Sequence, residues 1–270
     1  IVVTSARHAY IDIQALQSPT SAGRGIGRYV TELSRALVHS DAPIAALALN
    51  PAADAPESLH RDLRDSGLLA WNTARSFDAA RASAPVSYVI ASPFEGTSPI
   101  DTVLPPYVAD ADVPLVAILY DLVPLVLGDE YLADPMVRRA YEHRLQLLQR
   151  ADLLLAISEH ARADAIELLR IDPARVVTIG AGAGRFFRPA AAHDGAPEAV
   201  RARFPGITRP FVLCVTATDA RKNTELLLDA WARVPDAVRR EHQLVLTGRF
   251  DDAALRRWNT RAEQSGLGDD

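Results

Sequence analysis

Two neighbouring cations precede a helix in the last quarter of the chain. Arg221 and Lys222 follow an apolar strand predicted over 211–216, and a helix is predicted over 224–234. The first backbone N–H groups of a helix have no partner within it, and the helix dipole is positive at that end. A guanidinium and an ammonium beside them add positive charge. The pattern therefore indicates a site for a diphosphate or another polyanion.

A glycine-rich segment, 23–29, forms a second candidate site between the first predicted strand and the first predicted helix. Gly25 and Gly27 let the backbone approach a ligand closely, and the helix start supplies N–H donors. The spacing differs from the dinucleotide pattern G-x-G-x-x-G. A flexible connection would be equally rich in glycine, so ligand contact and simple connection both stay open.

Polar side chains also follow several predicted strands. Tyr120 and Asp121 end an apolar strand over 115–119, and open α/β sheets bind ligands at that end of their strands. Asp121 could accept hydrogen bonds from sugar hydroxyls or carry a proton, while Tyr120 could stack or donate. The alternative is an aspartate that satisfies only loop amides.

Two further strand ends carry weaker signals. Glu95, in the segment SPFEG at 92–96, could bind an acceptor hydroxyl or merely form a turn. Ser158 precedes a helix predicted over 160–169, so we favour an N-cap over ligand contact.

The elements that must position these residues alternate between short apolar runs and longer helical patterns, which is typical of parallel βαβ units. Strands are predicted over 10–16, 44–49, 86–91, 115–119, 153–157 and 176–179. Helices are predicted over 26–38, 57–65, 135–150 and 160–169.

A proline-rich segment over 189–210 indicates a linker between two domains. It would separate a first domain, 1–188, from the beginning of a second, 211–270. The second contains strands over 211–216 and 243–247 and helices over 224–234 and 253–265. Two strand–helix units cover a sheet poorly, so we expect this domain to be truncated.

Composition excludes several classes of protein. The 270 residues carry a net charge of −5, which argues against a general nucleic-acid binder. One cysteine allows no intrachain disulfide, which favours a cytoplasmic setting. The histidines and the cysteine are not spaced as metal ligands. No apolar run approaches the roughly 20 residues that span a bilayer.

The helix predicted over 135–150 has a basic side, which consists of Arg138, Arg139, His143, Arg144 and Arg150. Its buried side would consist of Val137, Tyr141, Leu145 and Leu148. Peripheral contact with an anionic membrane surface is one interpretation. A solvated helix face is the favoured one.

Several segments, taken in order, resemble glycosyltransferase family 4. They are IDIQALQ at 11–17, RGIGRY at 24–29, SPFEG at 92–96, YDLVPL at 120–125, ADLLLAISE at 151–159 and RKN at 221–223. The resemblance extends over about residues 9–270. It implies the GT-B fold, in which two Rossmann-like α/β domains with parallel sheets flank a cleft. Order and spacing match the branch that builds bacterial surface polysaccharides such as O-antigen, often with mannose.

The resemblance implies metal-free, retaining transfer of a sugar from a nucleotide sugar, with GDP-mannose favoured and a UDP-sugar as the alternative. The acceptor would be a saccharide or a lipid-linked saccharide, at the cytoplasmic face of the membrane. Lys222 would hold the donor diphosphate with help from Arg221, and the Gly25–Gly27 loop would approach the same phosphates. Asp121 and Tyr120 would lie near the transferred sugar. Contacts with the acceptor or a sugar are assigned to Arg24, Arg28, Glu95 and Ser158.

Three departures from the family pattern limit these assignments. Tyr120 stands where many members have histidine, and Thr216 stands where an arginine is frequent. The later segment with two glutamates, which contacts the donor, is not in this chain. A non-catalytic binding or scaffold module therefore stays an alternative, as does a GT-B-like epimerase or phosphorylase.

Overall fold

A computed structural model describes residues 6–95, 103–189 and 196–267, with only the backbone of residues 196, 197 and 220. Gly96 of the SPFEG segment, residues 190–195 of the predicted linker and residues 268–270 lie outside this range. The chain divides into two compact units, one up to Phe186 and one from Phe187 onward.

The first unit is built on a parallel sheet whose strands, among the described residues, follow the order β3-β2-β1-β4-β5-β6-β7. They are β1 (His8–Asp12), β2 (Ile44–Leu49), β3 (Leu69–Trp71), β4 (Val86–Ile90), β5 (Leu115–Leu119), β6 (Leu153–Ala156) and β7 (Val176–Thr178). The order reverses between β1 and β4, where Asp12 is in register with Ile90. Open α/β sheets bind ligands outside the carboxyl ends of strands at such a switch point.

Helices connect these strands. They are α1 (Gly25–Val38), α2 (Arg61–Arg64), α3 (Ala74–Ser83), α4 (Pro106–Ala109), α5 (Val123–Val126), α6 (Gly128–Tyr131), α7 (Pro135–Arg150) and α8 (Glu159–Leu169). Side-chain caps fix several starts, because Thr73, Asp134 and Ser158 accept backbone N–H groups from the first turns of α3, α7 and α8.

The sheet is buried on both faces, as the nearly continuous apolar strands predict. Alternation along β1 sends Tyr10 into the core on one face, where it packs with Tyr88 and Phe77. Ile11 enters the core on the other face, with Ile118 of β5. Apolar cores on both faces of the sheet therefore hold the strands that end at its carboxyl edge.

The second unit contains two parallel strands, β8 (Phe211–Val215) and β9 (Gln243–Thr247). Its helices are α9 (Ala196–Arg203), α10 (Thr224–Ala232), α11 (Asp236–Glu241) and α12 (Asp252–Gln264). The core of this unit is small and is centred on Leu228, Ala254 and Trp258.

The structure corrects two boundaries and adds a helix within the predicted linker. The strand predicted over 10–16 ends at Asp12, because the Asp12 carboxylate accepts the Gln14 N–H and starts a 3-10 turn over Gln14–Gln17. The helix predicted over 57–65 is limited to Arg61–Arg64. The linker predicted over 189–210 contains helix α9, because alanines favour a helix and the first turn tolerates Pro197.

The basic side predicted for α7 also needs correction. Arg144 is only 7% exposed and is buried together with Leu145, Leu147 and Leu148 of the same helix, whereas Val137 is 49% exposed. The buried face of α7 therefore lies in its second half and includes a guanidinium. None of the helices in the described parts of the chain is long and apolar enough to cross a bilayer.

Candidate functional site

Four of the eight predicted site residues of the first unit lie at the carboxyl edge of the first sheet. Glu95 follows β4, Tyr120 and Asp121 follow β5, and Ser158 follows β6. The parallel pairing of β4 with β5 and of β5 with β6 places these strand ends side by side. The segments that the sequence placed at strand ends therefore lie side by side at this edge, although their side chains differ in exposure and in partners.

Asp121 is exposed at this edge, and one of its carboxylate oxygens accepts the N–H of Val123 at 3.1 Å. This bond closes the turn that starts α5, so the aspartate has at least a structural role. Because the side chain is exposed, its carboxylate is accessible from solvent. A role in sugar binding or proton transfer stays a prediction.

The hydroxyl of Tyr120 donates to the backbone carbonyl of Ala91 at 2.9 Å, and its ring packs edge-to-face against Tyr29 at 5.3 Å. Burial, followed by the nearby groups of Tyr29 and Glu95, raises the pKa of Tyr120 above its ordinary value. A proton transfer through this hydroxyl would have to break an existing bond. The geometry thus favours a role in joining β5 to β4 over the predicted catalytic role.

Glu95 is not presented to solvent. It is 2% exposed, and the Ser92 hydroxyl donates to its Oε1. Arg144 of α7 donates to the carbonyls of Pro93 at 3.0 Å and of Glu95 at 3.3 Å. Of the two interpretations of this segment, the structure therefore favours the turn over contact with an acceptor hydroxyl.

Asp12, which was not predicted as a site residue, lies 1% exposed at the end of β1. Gln14 donates to both of its carboxylate oxygens, at 3.1 and 2.8 Å. Burial raises the pKa of Asp12 to about 7, against the opposing effect of these hydrogen bonds. The strand-end position that marked Asp121 also applies to Asp12, so the same signal could have found it.

The two glycines of the α1 entrance have different surroundings. A Cβ on Gly27 would lie 2.4 Å from the Ala22 carbonyl oxygen and 2.5 Å from that of Ser21. Nothing lies within 4 Å of a Cβ built on Gly25. Gly27 is therefore needed for packing within its own loop, and Gly25 alone leaves open space for a ligand.

The start of α1 also leaves hydrogen-bond donors free. Among the described residues, none accepts from the N–H groups of Gly25 and Ile26, whereas the Gly27 N–H donates to Ser21. Arg24 and Arg28 are exposed on either side of this start. Free N–H groups at the positive end of a helix with flanking guanidinium groups suit an anion.

Ser158 caps α8, because its hydroxyl accepts the N–H of Ala161 at 3.1 Å. Replacing Ser158 by alanine should lower the free energy of unfolding by about 1 kcal/mol through the lost cap. Ser158→Asp, which keeps a capping oxygen, is the matched control. Urea unfolding measures the effect. A Ser158→Ala variant with unchanged stability but weakened sugar binding would instead support the ligand contact.

In the second unit, Arg221 and Lys222 lie in a 3-10 turn directly before α10. Asp219 closes this turn, because its carboxylate accepts the Arg221 N–H at 3.0 Å and its carbonyl accepts the Lys222 N–H at 2.9 Å. The Arg221 guanidinium lies 3.5 Å from the same carboxylate. This ion pair fixes Arg221 and offsets part of its charge.

Lys222 is exposed, and no described residue pairs with its ammonium. The next residue, Asn223, has a left-handed backbone (φ 49°), and the first-turn N–H groups of Glu225 and Leu226 donate to no described residue. Lys222 is also the only lysine in the 270 residues. A free ammonium and free helix N–H groups thus lie next to each other in the chain.

Thr216, at the position where the family often has arginine, is 6% exposed, and its hydroxyl lies 2.6 Å from that of Thr224. The two hydroxyls join the end of β8 to the start of α10. Thr216 therefore positions the helix start and does not offer a charge to a ligand. Among the described residues, no group of histidine, cysteine and carboxylate side chains could hold a metal ion.

Comparison with known proteins identifies relatives of the whole chain. The serotype-specific mannosyltransferase WbdA of Escherichia coli is 30% identical over 292 residues, which cover 96% of this chain and 34% of the relative. Another WbdA of Escherichia coli is 33% identical over 202 residues, 73% of this chain and 24% of its own length. The chain thus spans about a third of the length of the first of these relatives. No family model matches it.

Solved structures show the same fold. A crystal structure of Anabaena Alr3699/HepE in complex with UDP gives a TM-score of 0.62 at 15% identity, over 97% of this chain and 66% of that one. The complex with UDP-glucose gives 0.65 at 13% identity, over 96% and 66%. The family resemblance seen in the sequence is confirmed. The chain is thus similar over most of its length to part of the mannosyltransferase WbdA, and it has the fold of the GT-B glycosyltransferases.

Proposed function

We propose that the chain is part of a retaining glycosyltransferase that acts in polysaccharide synthesis. Its donor would be a nucleoside-diphosphate sugar, and its acceptor a saccharide or a lipid-linked saccharide. The observation that carries this proposal is the 30% identity to a mannosyltransferase over 96% of the chain. The same relationship supports mannose as the sugar and GDP-mannose as the donor. The UDP and UDP-glucose in the HepE complexes support a UDP-sugar as the alternative.

Lys222 is proposed to bind the donor diphosphate. Its ammonium is exposed and has no partner among the described residues, and the neighbouring N–H groups of Glu225 and Leu226 are free. In sugar transfer, negative charge develops on the departing nucleoside diphosphate. A cation and aligned N–H dipoles that meet this developing charge stabilise it more than they stabilise the intact donor. Arg221, already fixed by Asp219, would assist from the same turn.

The start of α1 is proposed as a second anion-binding or sugar-binding surface. Gly25 leaves space for a ligand, the N–H groups of Gly25 and Ile26 are free, and Arg24 and Arg28 are exposed beside them. Gly27 would contribute indirectly, by letting the loop before the helix pack closely. Asp121, exposed at the same sheet edge, is the proposed acceptor of the proton from the attacking hydroxyl.

The test is a transfer assay on the full-length protein. It is incubated with GDP-mannose or UDP-glucose and a mannose-terminated oligosaccharide, with EDTA because no metal is proposed. We expect acceptor-dependent release of the nucleoside diphosphate and a product heavier by one hexose. NMR of the product should show the anomeric configuration of the donor sugar. A cytoplasmic location at the membrane is proposed from the nucleotide-sugar donor and the lipid-linked acceptor.

The other candidate functions give different outcomes in the same assay. A scaffold module would release no nucleoside diphosphate with any acceptor. An epimerase would change the donor without acceptor, and a phosphorylase would depend on inorganic phosphate. Any of these three results would contradict the proposal.

A further inference from the structure

Three ionisable side chains are buried together at the switch point between β1 and β4. Asp12 of β1 is 1% exposed, Glu95 after β4 is 2% exposed, and Arg144 of α7 is 7% exposed. Arg144 interacts electrostatically with both carboxyl groups, which also interact with each other. Charged side chains are almost never buried to this extent unless they are paired. This group, here called the switch-point cluster, therefore needs an explanation.

The hydrogen bonds of the cluster connect it to one backbone turn. Arg144 donates to the carbonyls of Pro93 and Glu95, on two sides of the turn after β4, and Ser92 donates to Glu95 Oε1. Phe94, in the same turn, stacks on Tyr141 of α7 with ring centroids 4.9 Å apart. Glu95 Oε2 is buried and accepts from no described residue. Two hydrogen bonds from one guanidinium thus help to hold the turn, next to a carboxylate oxygen that has no donor among the described residues.

The charges of the cluster do not balance without a proton. Two carboxylates and one guanidinium leave a net charge of −1 in a buried place, which is costly. One bound proton makes the cluster neutral. The pKa of Asp12, raised to about 7 mainly by burial and also by Glu95, places that proton on Asp12. Burial also lowers the pKa of Arg144, which adds to the cost of its position.

Among the described residues, the other titratable groups that interact with Asp12 or Glu95 are phenols. They are Tyr10, Tyr88, Tyr107 and Tyr120. Burial raises the pKa of each above its ordinary value, so all of them stay neutral in the range where Asp12 titrates. Asp12 is then the group whose ionisation changes the charge of the cluster near neutral pH.

We propose that Asp12, Glu95 and Arg144 form a proton-linked switch that holds the turn after β4 closed while one proton is bound. When both carboxyl groups are ionised, the uncompensated charge favours opening of the turn to water. The turn lies at the edge where α/β sheets bind ligands, so the switch would couple pH to the shape of that edge. The inference concerns the first unit alone and does not depend on sugar transfer.

Hydrogen exchange in the full-length protein tests the switch. The reporter is a peptide over 86–95, in which the Ala91 N–H donates to the Asp12 carbonyl at 3.2 Å. After correction for intrinsic exchange, we expect its protection to fall about tenfold per unit between pH 5 and pH 7. It should level off above about pH 7, because a carboxyl with a raised pKa contributes stability only while it is protonated. Protection that is constant over this range would overturn the proposal.

A peptide over 153–157, from β6, is the internal control. Its Ile157 N–H donates to the Leu119 carbonyl at 3.0 Å, and β5 separates β6 from β4 in the sheet. The protection of this peptide against hydrogen exchange should not change with pH. An equal fall in both peptides would show a change in global stability and would also overturn the local switch.

Two variants assign the effect to the cluster. Asp12→Asn is neutral at every pH, so the 86–95 peptide should keep its pH 5 protection up to pH 8. Glu95→Gln removes one of the causes of the raised pKa, so the fall should level off at a lower pH. Asp41→Asn, at an exposed position, is the matched control and should behave as the wild type. An Asp12→Asn variant with the wild-type slope would disprove the assignment.

Discussion

Replacing Lys222 by alanine in the full-length protein should lower kcat/KM for sugar transfer at least tenfold. Removal of one well-placed donor to a developing negative charge commonly costs roughly 3–4 kcal/mol, or about a hundredfold to a thousandfold in rate. Two features favour a large effect here. The ammonium has no competing partner among the described residues, and no second lysine in the 270 residues could replace it.

The effect should be separable from a general loss of positive charge. Arg256 of α12 is exposed in the same unit, so Arg256→Ala removes one positive charge at another site and should leave turnover unchanged. Lys222→Arg keeps the charge but changes its geometry, and it should restore part of the activity. The measurements are initial rates with GDP-mannose or UDP-glucose and the Kd of each donor by calorimetry. Near-normal turnover of Lys222→Ala would show that Lys222 does not bind the donor diphosphate as proposed.

The repeating pattern of strands and helices could be predicted because it is local. Strands β2 and β5 match their predicted ranges, since each is a continuous apolar run between polar or proline-containing segments. Strand β3 has three residues and helices α4, α5 and α6 have four each, too few to show a hydrophobic period. Such elements depend on the tertiary structure around them.

The sequence could not show those contacts in which a side chain has its partner far away in the chain. Arg144 lies on a helix with other cations, and nothing nearby indicates that it reaches the carbonyls of Pro93 and Glu95. Tyr120 likewise finds the Ala91 carbonyl across the sheet. That the strand ends lie side by side could be expected, because parallel strands bring their carboxyl ends to one edge of the sheet. Only contacts across the fold show which side chains there are buried and which are open to solvent.

The difference between Gly25 and Gly27 illustrates the same limit, and it leads to the largest expected effect on stability. Gly27→Ala should lower the free energy of unfolding of the first unit by about 3 kcal/mol, at the upper end of the usual cost of overpacking. The added Cβ would lie 2.4 Å from the Ala22 carbonyl oxygen and 2.5 Å from that of Ser21, and both are backbone atoms that cannot rotate away. The Gly27 N–H also holds the loop in place through its 3.1 Å bond to Ser21.

Gly25→Ala is the matched control, because it makes the same chemical change two residues earlier, where nothing lies within 4 Å. Its free energy of unfolding should stay within about 0.5 kcal/mol of the wild type. Urea unfolding of both variants, with the midpoint compared at unchanged m-value, measures the difference. Equal free energies of unfolding for the two variants would show that the loop before α1 can accommodate the added Cβ at little cost. If Gly25→Ala folds normally but binds the nucleotide sugar more weakly, Gly25 contacts the ligand. The packing role of Gly27 would not cause such a loss of binding.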